Sequence, residues 1–141
     1  MAKESSVNEV DLVIPMLPDI EVAATKTAAA VAEYMKFDSD KIDELNQALI
    51  EACINSFEHS KSLDKKLYIK FIINDNELTV VIKDKGSGFD TGSINENPDI
   101  KDKLKSDYKR GWGLMLMKNL MDSVEIDSNE YGTTLTMTKI K

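Results

Sequence analysis

The sequence has little of what marks secreted, membrane-spanning or nucleic-acid-binding proteins. It contains a single cysteine, Cys53, so no disulfide can form within the chain. No apolar run approaches the ~18–20 residues that a helix needs to cross a bilayer, and the opening MAKESSVNEV lacks the apolar segment of a signal peptide. The net charge of −7 has no basic block to offset it, which argues against nucleic acid as the main partner. These absences predict a cytoplasmic protein without a membrane or direct nucleic-acid partner.

The sequence also shows no boundary between separate domains. No internal repeat and no low-complexity linker interrupts its 141 residues, of which 42% are apolar and 30% charged. A chain of this length and composition can bury a hydrophobic core of its own. We therefore expect a single domain over residues 1–141.

Positive charge is missing from most of the longest helical segment, which covers residues 39–60 and which we expect to begin at Ser39. Neither Lys nor Arg occurs from 42 to 60, whereas a solvated helix face normally mixes both signs. Four polar side chains recur at about one-turn intervals along one face: Gln47, Glu51, Asn55 and His59. Burying such groups is costly unless they are paired. The polar face therefore either lines a pocket, which we favour, or belongs to a core helix whose polar groups satisfy one another.

The remaining pattern alternates between strands and helices. Alternating apolar residues predict five strands: 10–16, 67–73, 78–82, 124–127 and 133–137. Helical periodicity predicts two further helices, over 19–35 and 115–123. The order is strand, two helices, two strands, long loop, helix, two strands. It predicts an α/β (α+β) two-layer sandwich, with one mixed, mainly antiparallel sheet and the helices on one face.

Two Gly-x-Gly sequences flank a long polar segment. By strand parity Asp84 ends the core-facing row of the third strand, and the first Gly-x-Gly, 86–88, follows it at once. Residues 90–109 are polar and too many for a simple connection, which indicates a lid or binding loop. The second Gly-x-Gly, 111–113, opens the last helix. Each feature alone could be a turn, a cap or a closely packed helix start, and their combination in this order favours a ligand site.

These motifs resemble those of the GHKL ATPases, which share the Bergerat histidine-kinase-like nucleotide-binding fold. The sequence EACINSFEH at 51–59 is similar to the family's N box, and DKGSGF at 84–89 to its first glycine box. RGWGL at 110–114 resembles the second glycine box, and YGTT at 131–134 the Gly-Thr segment that closes the site. The likeness covers nearly the whole chain. It is greatest to the anti-sigma-factor serine/threonine kinases of bacterial stress and sporulation switches.

The resemblance implies a role for each matching residue. Glu51 would be the catalytic base, Asn55 would bind Mg²⁺ through its amide oxygen, and Asp84 would accept a hydrogen bond from the adenine amino group of ATP. Residues 90–109 would form the ATP lid. The other nucleotide-binding residues implied by the motifs are Gly86, Gly88, Lys109, Arg110, Gly111, Gly113, Leu114, Thr133 and Thr134. Whether Lys109 or Arg110 meets the γ-phosphate, and which of the two threonines joins the phosphate or Asp84 network, stays open.

The function implied is that of an ATP-dependent protein serine/threonine kinase acting as an anti-sigma factor. It would phosphorylate an anti-sigma-factor antagonist of the STAS type and, in its other state, sequester a sigma factor. Small members of the family are commonly homodimers, and we expect the N-terminal strand and first helix to form the interface.

Two alternatives have the same fold. A non-catalytic ATP-binding partner-switch module would have little use for a base, so the presence of Glu51 argues against it. The ATPase domain of a histidine-kinase-like protein would need a phosphoacceptor histidine on a separate helical hairpin. The only histidine is His59, inside the N box, and we expect no room for that hairpin in 141 residues.

Overall fold

A computed structural model describes residues 8–60, 62–85, 113–129 and 131–141. In chain order the described elements are β1 (Glu9–Pro15), α1 (Glu21–Tyr34), α2 (Ser39–His59), β2 (Lys66–Ile73), β3 (Glu77–Lys85), α3 (113–120), β4 (Ser123–Asn129) and β5 (Gly132–Ile140). This is the predicted order of strands and helices. The long segment between β3 and α3, with the predicted lid, lies outside the described residues.

The strands form one sheet in the order β1-β2-β3-β5-β4, and each neighbouring pair is antiparallel. The predicted hairpins β2–β3 and β4–β5 are both present. Side chains alternate between the two faces of the sheet. On β3 the buried row consists of Leu78, Val80, Ile82 and Asp84. Because this row packs with the buried residues of α1 and α2, the helices cover one face, which confirms the predicted two-layer sandwich.

Small side chains allow α1 to pack closely on the core. Ala24, Ala28 and Ala32 are fully buried, and Val31 lies beside them. Thr27 of the same helix is only half-buried, and its hydroxyl donates to the Ala23 carbonyl at 2.8 Å. The fully buried face of α1 is thus made mainly of alanines, which present no polar side chain to the core.

The α2 helix begins at Ser39, as predicted, but the residue that caps it is Asp38. The Asp38 carboxylate accepts the backbone N–H of Lys41 at 2.8 Å, and its backbone is extended. Aspartate is among the preferred N-cap residues because its side chain satisfies an otherwise unpaired helix N–H. On the inner face Leu45, Leu49 and Cys53 are fully buried, as their spacing predicts.

A buried lysine joins three elements at the end of the sheet where β5 finishes. Lys139 is 6% exposed; its ammonium donates to Glu44 Oε1 of α2 at 3.0 Å and to the Leu120 carbonyl at the end of α3. A cation is favourable at a helix C-terminus, where carbonyls lack helical partners. Met117 (1% exposed) and Met121 (5%) fix the inner side of this segment in the core. Helix α3 is therefore held against both α2 and β5.

The thiol of Cys53 stays protonated in the folded protein near neutral pH. Burial raises the pKa of Cys53 to about 12 from an ordinary 9.0, and the nearby Glu21 carboxylate adds a smaller contribution in the same direction. The thiolate is the reactive form, and at pH 8 it would make up about 10⁻⁴ of the thiol. Because the folded-state pKa is raised, the neutral thiol's contribution to stability is complete below pH 9. It is lost as the pH rises from 9 toward 12.

We expect Cys53 to resist an aromatic disulfide reagent at pH 8 in the native protein and to react fully once guanidinium chloride unfolds the chain. Absorbance of the released thiolate measures both reactions. Fast native labelling would show that the core around Cys53 opens readily.

No described helix is both long and apolar enough to span a bilayer.

Candidate active site

Four elements bring predicted site residues to one end of the sheet. Glu51 and Asn55 lie in the second half of α2, and Gly113 begins α3. Asp84 near the end of β3 is paired with Thr133 at the start of β5. The other predicted residues Gly86, Gly88, Lys109, Arg110 and Gly111 lie outside the described part of the chain.

Asp84 occupies the position that strand parity predicts, at the end of the buried row of β3. It is 6% exposed, and its Oδ1 accepts the backbone N–H of Thr133 at 3.1 Å. An aspartate is rarely buried unless its carboxylate is bonded, and this contact joins Asp84 of β3 to the start of β5.

The hydroxyl of Thr133 has a neighbour that the sequence analysis missed. Ser128 of β4 lies across the hairpin from Thr133, and their hydroxyl oxygens are 3.0 Å apart. The signal was available, because a hairpin around 129–132 pairs 128 with 133. Thr134 lies opposite Lys83 and Asp127 instead, and alternation places it on the other face of β5. Thr133 is therefore the threonine that contacts Asp84.

A cavity of about 30 Å³ lies beside Asp84. Its walls are mainly apolar, from Ala52, Leu114, Met117, Ile126 and Leu135. Its polar members are Asn55, Ser56, Ser60, Asp84 and Thr133. This volume is about that of one water molecule, well below the roughly 300–1,000 Å³ of small-molecule pockets, and its lining shows which apolar and polar side chains surround Asp84.

The first residue of α3 packs directly against Glu51 and Asn55. A Cβ added to Gly113 would lie 2.7 Å from Glu51 Oε1 and 2.8 Å from Asn55 Nδ2. The two side chains are one helical turn apart and so share a face of α2. Of the other members of the predicted polar face, Gln47 is exposed and His59 is half-buried. A carboxylate and an amide thus meet at Gly113, the first described residue of α3.

These groups fit the nucleotide and Mg²⁺ that the sequence motifs imply. The positive end of a helix dipole favours phosphate groups, and Asn55 supplies an amide oxygen near it. No cluster of three or more His, Cys, Asp and Glu occurs within residues 8–60, 62–85, 113–129 and 131–141. Magnesium usually takes one or two protein oxygens together with phosphates and water, so an amide beside the phosphates suits it.

A hydrogen-bond network fixes the connection between α2 and β2 beside this site. Hydrogen bonds from Ser62, from the Tyr68 hydroxyl at 2.6 Å and from the Lys66 N–H at 3.1 Å lower the pKa of Asp64 to about 2. The Lys85 ammonium lies 4.4 Å from the centroid of the Tyr68 ring. Because Lys85 follows Asp84, the network ties this connection to the end of β3.

Comparison with known proteins gives one family for the chain. Residues 14–139 match the model of the histidine kinase-like ATPase domain. The chain is 31% identical over 143 residues to the serine-protein kinase RsbW of Bacillus velezensis, an alignment that covers 96% of this chain and 87% of the relative. It is 29% identical over 144 residues to the serine-protein kinase RsbW of Bacillus subtilis, with 96% and 88% covered.

A solved structure has the same fold. The chain superposes with a TM-score of 0.69 on the crystal structure of the RsbU and RsbW domains of a Mycobacterium tuberculosis protein. The match covers 94% of this chain and 32% of that longer chain, at 15% sequence identity. At this identity the likeness bears on the fold alone.

Proposed function

Because this chain belongs to the GHKL, histidine kinase-like ATPase family and has that family's Bergerat fold, we propose that it is a protein serine/threonine kinase that uses ATP and Mg²⁺. The observation that carries the proposal is the contact of Glu51 and Asn55 with the start of α3, next to the Asp84 cavity. Identity of about 30% to proteins named as serine kinases over most of their length supports the same activity.

In this proposal Asp84, Asn55 and Glu51 have separate roles. Asp84 accepts a hydrogen bond from the adenine amino group, which discriminates against guanine because guanine carries an oxygen at that position. Asn55 presents its amide oxygen to Mg²⁺, whose charge would neutralise the phosphates when bound. Glu51 accepts the proton of the attacking serine or threonine hydroxyl. That oxygen bonds to the γ-phosphorus while the bond to the β–γ bridging oxygen breaks, and ADP leaves. Phosphoryl transfer depends mainly on such positioning and charge neutralisation.

The remaining assignments extend the proposal to residues outside the described part. We assign residues 90–109 as the ATP lid of a single domain over 1–141. Gly86, Gly88, Lys109, Arg110 and Gly111 would complete the nucleotide site. The protein would act in the cytoplasm.

The partners follow from the same family resemblance. The substrate would be an anti-sigma-factor antagonist of the STAS type, and the unphosphorylated antagonist would compete with a sigma factor for the kinase. The net charge of −7 is compatible with a basic partner surface.

We also propose that the protein is a homodimer whose interface includes β1 and the start of α1. Among the described strands, β1 lies at the edge of the sheet and pairs with β2 alone. Three large apolar side chains near it are about half-exposed: Val13 (50%), Leu17 (55%) and Val22 (48%). Such a surface is typical of an interface. Light scattering at micromolar concentration should give the mass of two chains, and a mass of 15.8 kDa would contradict the dimer.

Phosphoryl transfer is tested by mixing the purified protein, Mg²⁺ and γ-labelled ATP with candidate antagonist proteins from the same genome. The proposal expects acid-stable label on a serine or threonine of one antagonist. Acid-labile label on a histidine would support the histidine-kinase alternative instead. Nucleotide binding without transfer to any antagonist would favour the non-catalytic module, and absence of nucleotide binding would overturn the assignment of the site.

A further inference from the structure

Gly113 lies against α2 without a side chain. A Cβ on residue 113 would lie 2.7 Å from Glu51 Oε1, 2.8 Å from Asn55 Nδ2 and 3.5 Å from Glu51 Cδ. Contacts between non-bonded heavy atoms are ordinarily about 3.5–4.0 Å. The hydrogens of Gly113 thus leave room for two polar groups that any other residue would displace.

Helix α3 is held to the rest of the domain beyond this contact. Its far end is fixed by the bond from the Lys139 ammonium to the Leu120 carbonyl, and the same ammonium binds Glu44 of α2. Its inner face is seated in the core by Met117 and Met121. The atoms facing Gly113 are instead the ends of flexible side chains. A Cβ at 113 would therefore move the Glu51 carboxylate and the Asn55 amide, and leave the backbone in place.

We propose that Gly113 is a positioning residue, which sets the side-chain conformations of Glu51 and Asn55 together. The catalytic consequence rests on the roles proposed above for those two residues. Nδ2 of Asn55 faces Gly113, so its amide oxygen lies on the other branch of the amide group. Both groups would thus be aligned before ATP binds. Displacements of about 1 Å can reduce the rate of a positioned reaction by roughly 100-fold.

The test is Gly113→Ala, for which a positioning role and a packing role predict different results. Alanine favours a helix more than glycine does, so the unfolding temperature should be unchanged or slightly higher. The rate of phosphoryl transfer at saturating ATP should fall by about 10- to 100-fold. In the nucleotide-free protein, the side-chain amide resonances of Asn55 in a ¹H–¹⁵N spectrum should shift, while most backbone resonances stay in place.

Two further variants isolate the contact. Asn119→Ala raises helix propensity at an exposed position of α3 away from Glu51, and it should leave the transfer rate unchanged. In a Glu51→Asp background the shorter carboxylate leaves more space, so adding Gly113→Ala should cost less than it costs in the wild type. A double-mutant cycle measures this difference as a coupling between the two positions.

Each outcome decides the proposal. An unchanged transfer rate, unchanged Asn55 resonances or purely additive effects with Glu51→Asp would overturn it. A large fall in unfolding temperature with shifts throughout the spectrum would make Gly113 a packing residue and overturn it as well. If the wild type showed no transfer but the Asn55 resonances moved, the positioning contact would stand and the kinase proposal would fall.

Discussion

Replacing Glu51 by alanine should abolish phosphoryl transfer while leaving ATP binding close to that of the wild type. Glu51 lies half-buried on α2, one turn from Asn55, with the first residue of α3 against its carboxylate. A positioned general base typically contributes about 10²- to 10⁴-fold to a rate, so the residual transfer should be at least roughly 100-fold slower. The variant retains Asp84 and Asn55, the two residues to which we assign the contacts with the adenine ring and with Mg²⁺.

The Glu51 experiment compares single-turnover transfer of γ-labelled phosphate with calorimetric binding of ATP and Mg²⁺. Glu51→Gln is the sharper variant, because glutamine keeps the volume and a hydrogen-bonding oxygen but accepts no proton at neutral pH. Gln47→Ala, an exposed position one turn away on the same helix, is the control and should retain full transfer. Joint loss of binding and transfer in Glu51→Gln would mean that Glu51 holds the nucleotide or the fold.

Asp84→Asn should weaken ATP binding and shift the preference of the site toward guanine nucleotides. The substitution replaces one carboxylate oxygen with an amide donor, which would face the adenine amino group. Hydrogen bonds to charged groups contribute about 1.5–3 kcal/mol, which corresponds to roughly 10- to 150-fold in Kd. Guanine presents an oxygen that can accept from the new amide, so GTP binding should improve relative to ATP. Oδ1 can still accept the Thr133 N–H, which should preserve the fold.

Competition between ATP and GTP for a fluorescent adenine nucleotide measures the Asp84 effect, and thermal unfolding checks the fold. Asp127→Asn is a matched control, because it makes the same charge change at an exposed site on β4. An ATP affinity unchanged in Asp84→Asn would show that this carboxylate does not contact the base. A loss of stability together with binding would assign Asp84 a role in pairing β3 with β5.

Periodicity predicted the elements that depend on local pattern. The order of strands and helices, both hairpins and the inner face of α2 follow from the spacing of apolar residues. The burial of Asp84 followed from parity, because a strand without a bulge keeps every second residue on one face. The polar face of α2 with Glu51 and Asn55 could be recognised because residues 42–60 contain neither Lys nor Arg.

Contacts between distant segments could not be read in this way. Lys139 continues the buried row of Leu135 and Met137 on β5, but its burial depends on Glu44, 95 residues away, and on the end of α3. The contact of Gly113 with Glu51 and Asn55 likewise depends on how α3 is seated, whereas the motif had indicated only an approach to phosphates. Asp38 was not predicted as the N-cap because Ser39, the next residue in the chain, is also of a preferred N-cap type.

The strand order has a consequence for how the site comes into being during folding. β2–β3 and β4–β5 are hairpins that can close locally, but β3 and β5 pair across a long stretch of chain. The Thr133–Asp84 bond spans 49 residues, so it carries the loop-closure entropy of a non-local contact. An intermediate with both hairpins formed but not joined would still lack the contact between Asp84 and Thr133. Pairing of β3 with β5 therefore joins the two hairpins and brings Asp84 to Thr133 in the same step.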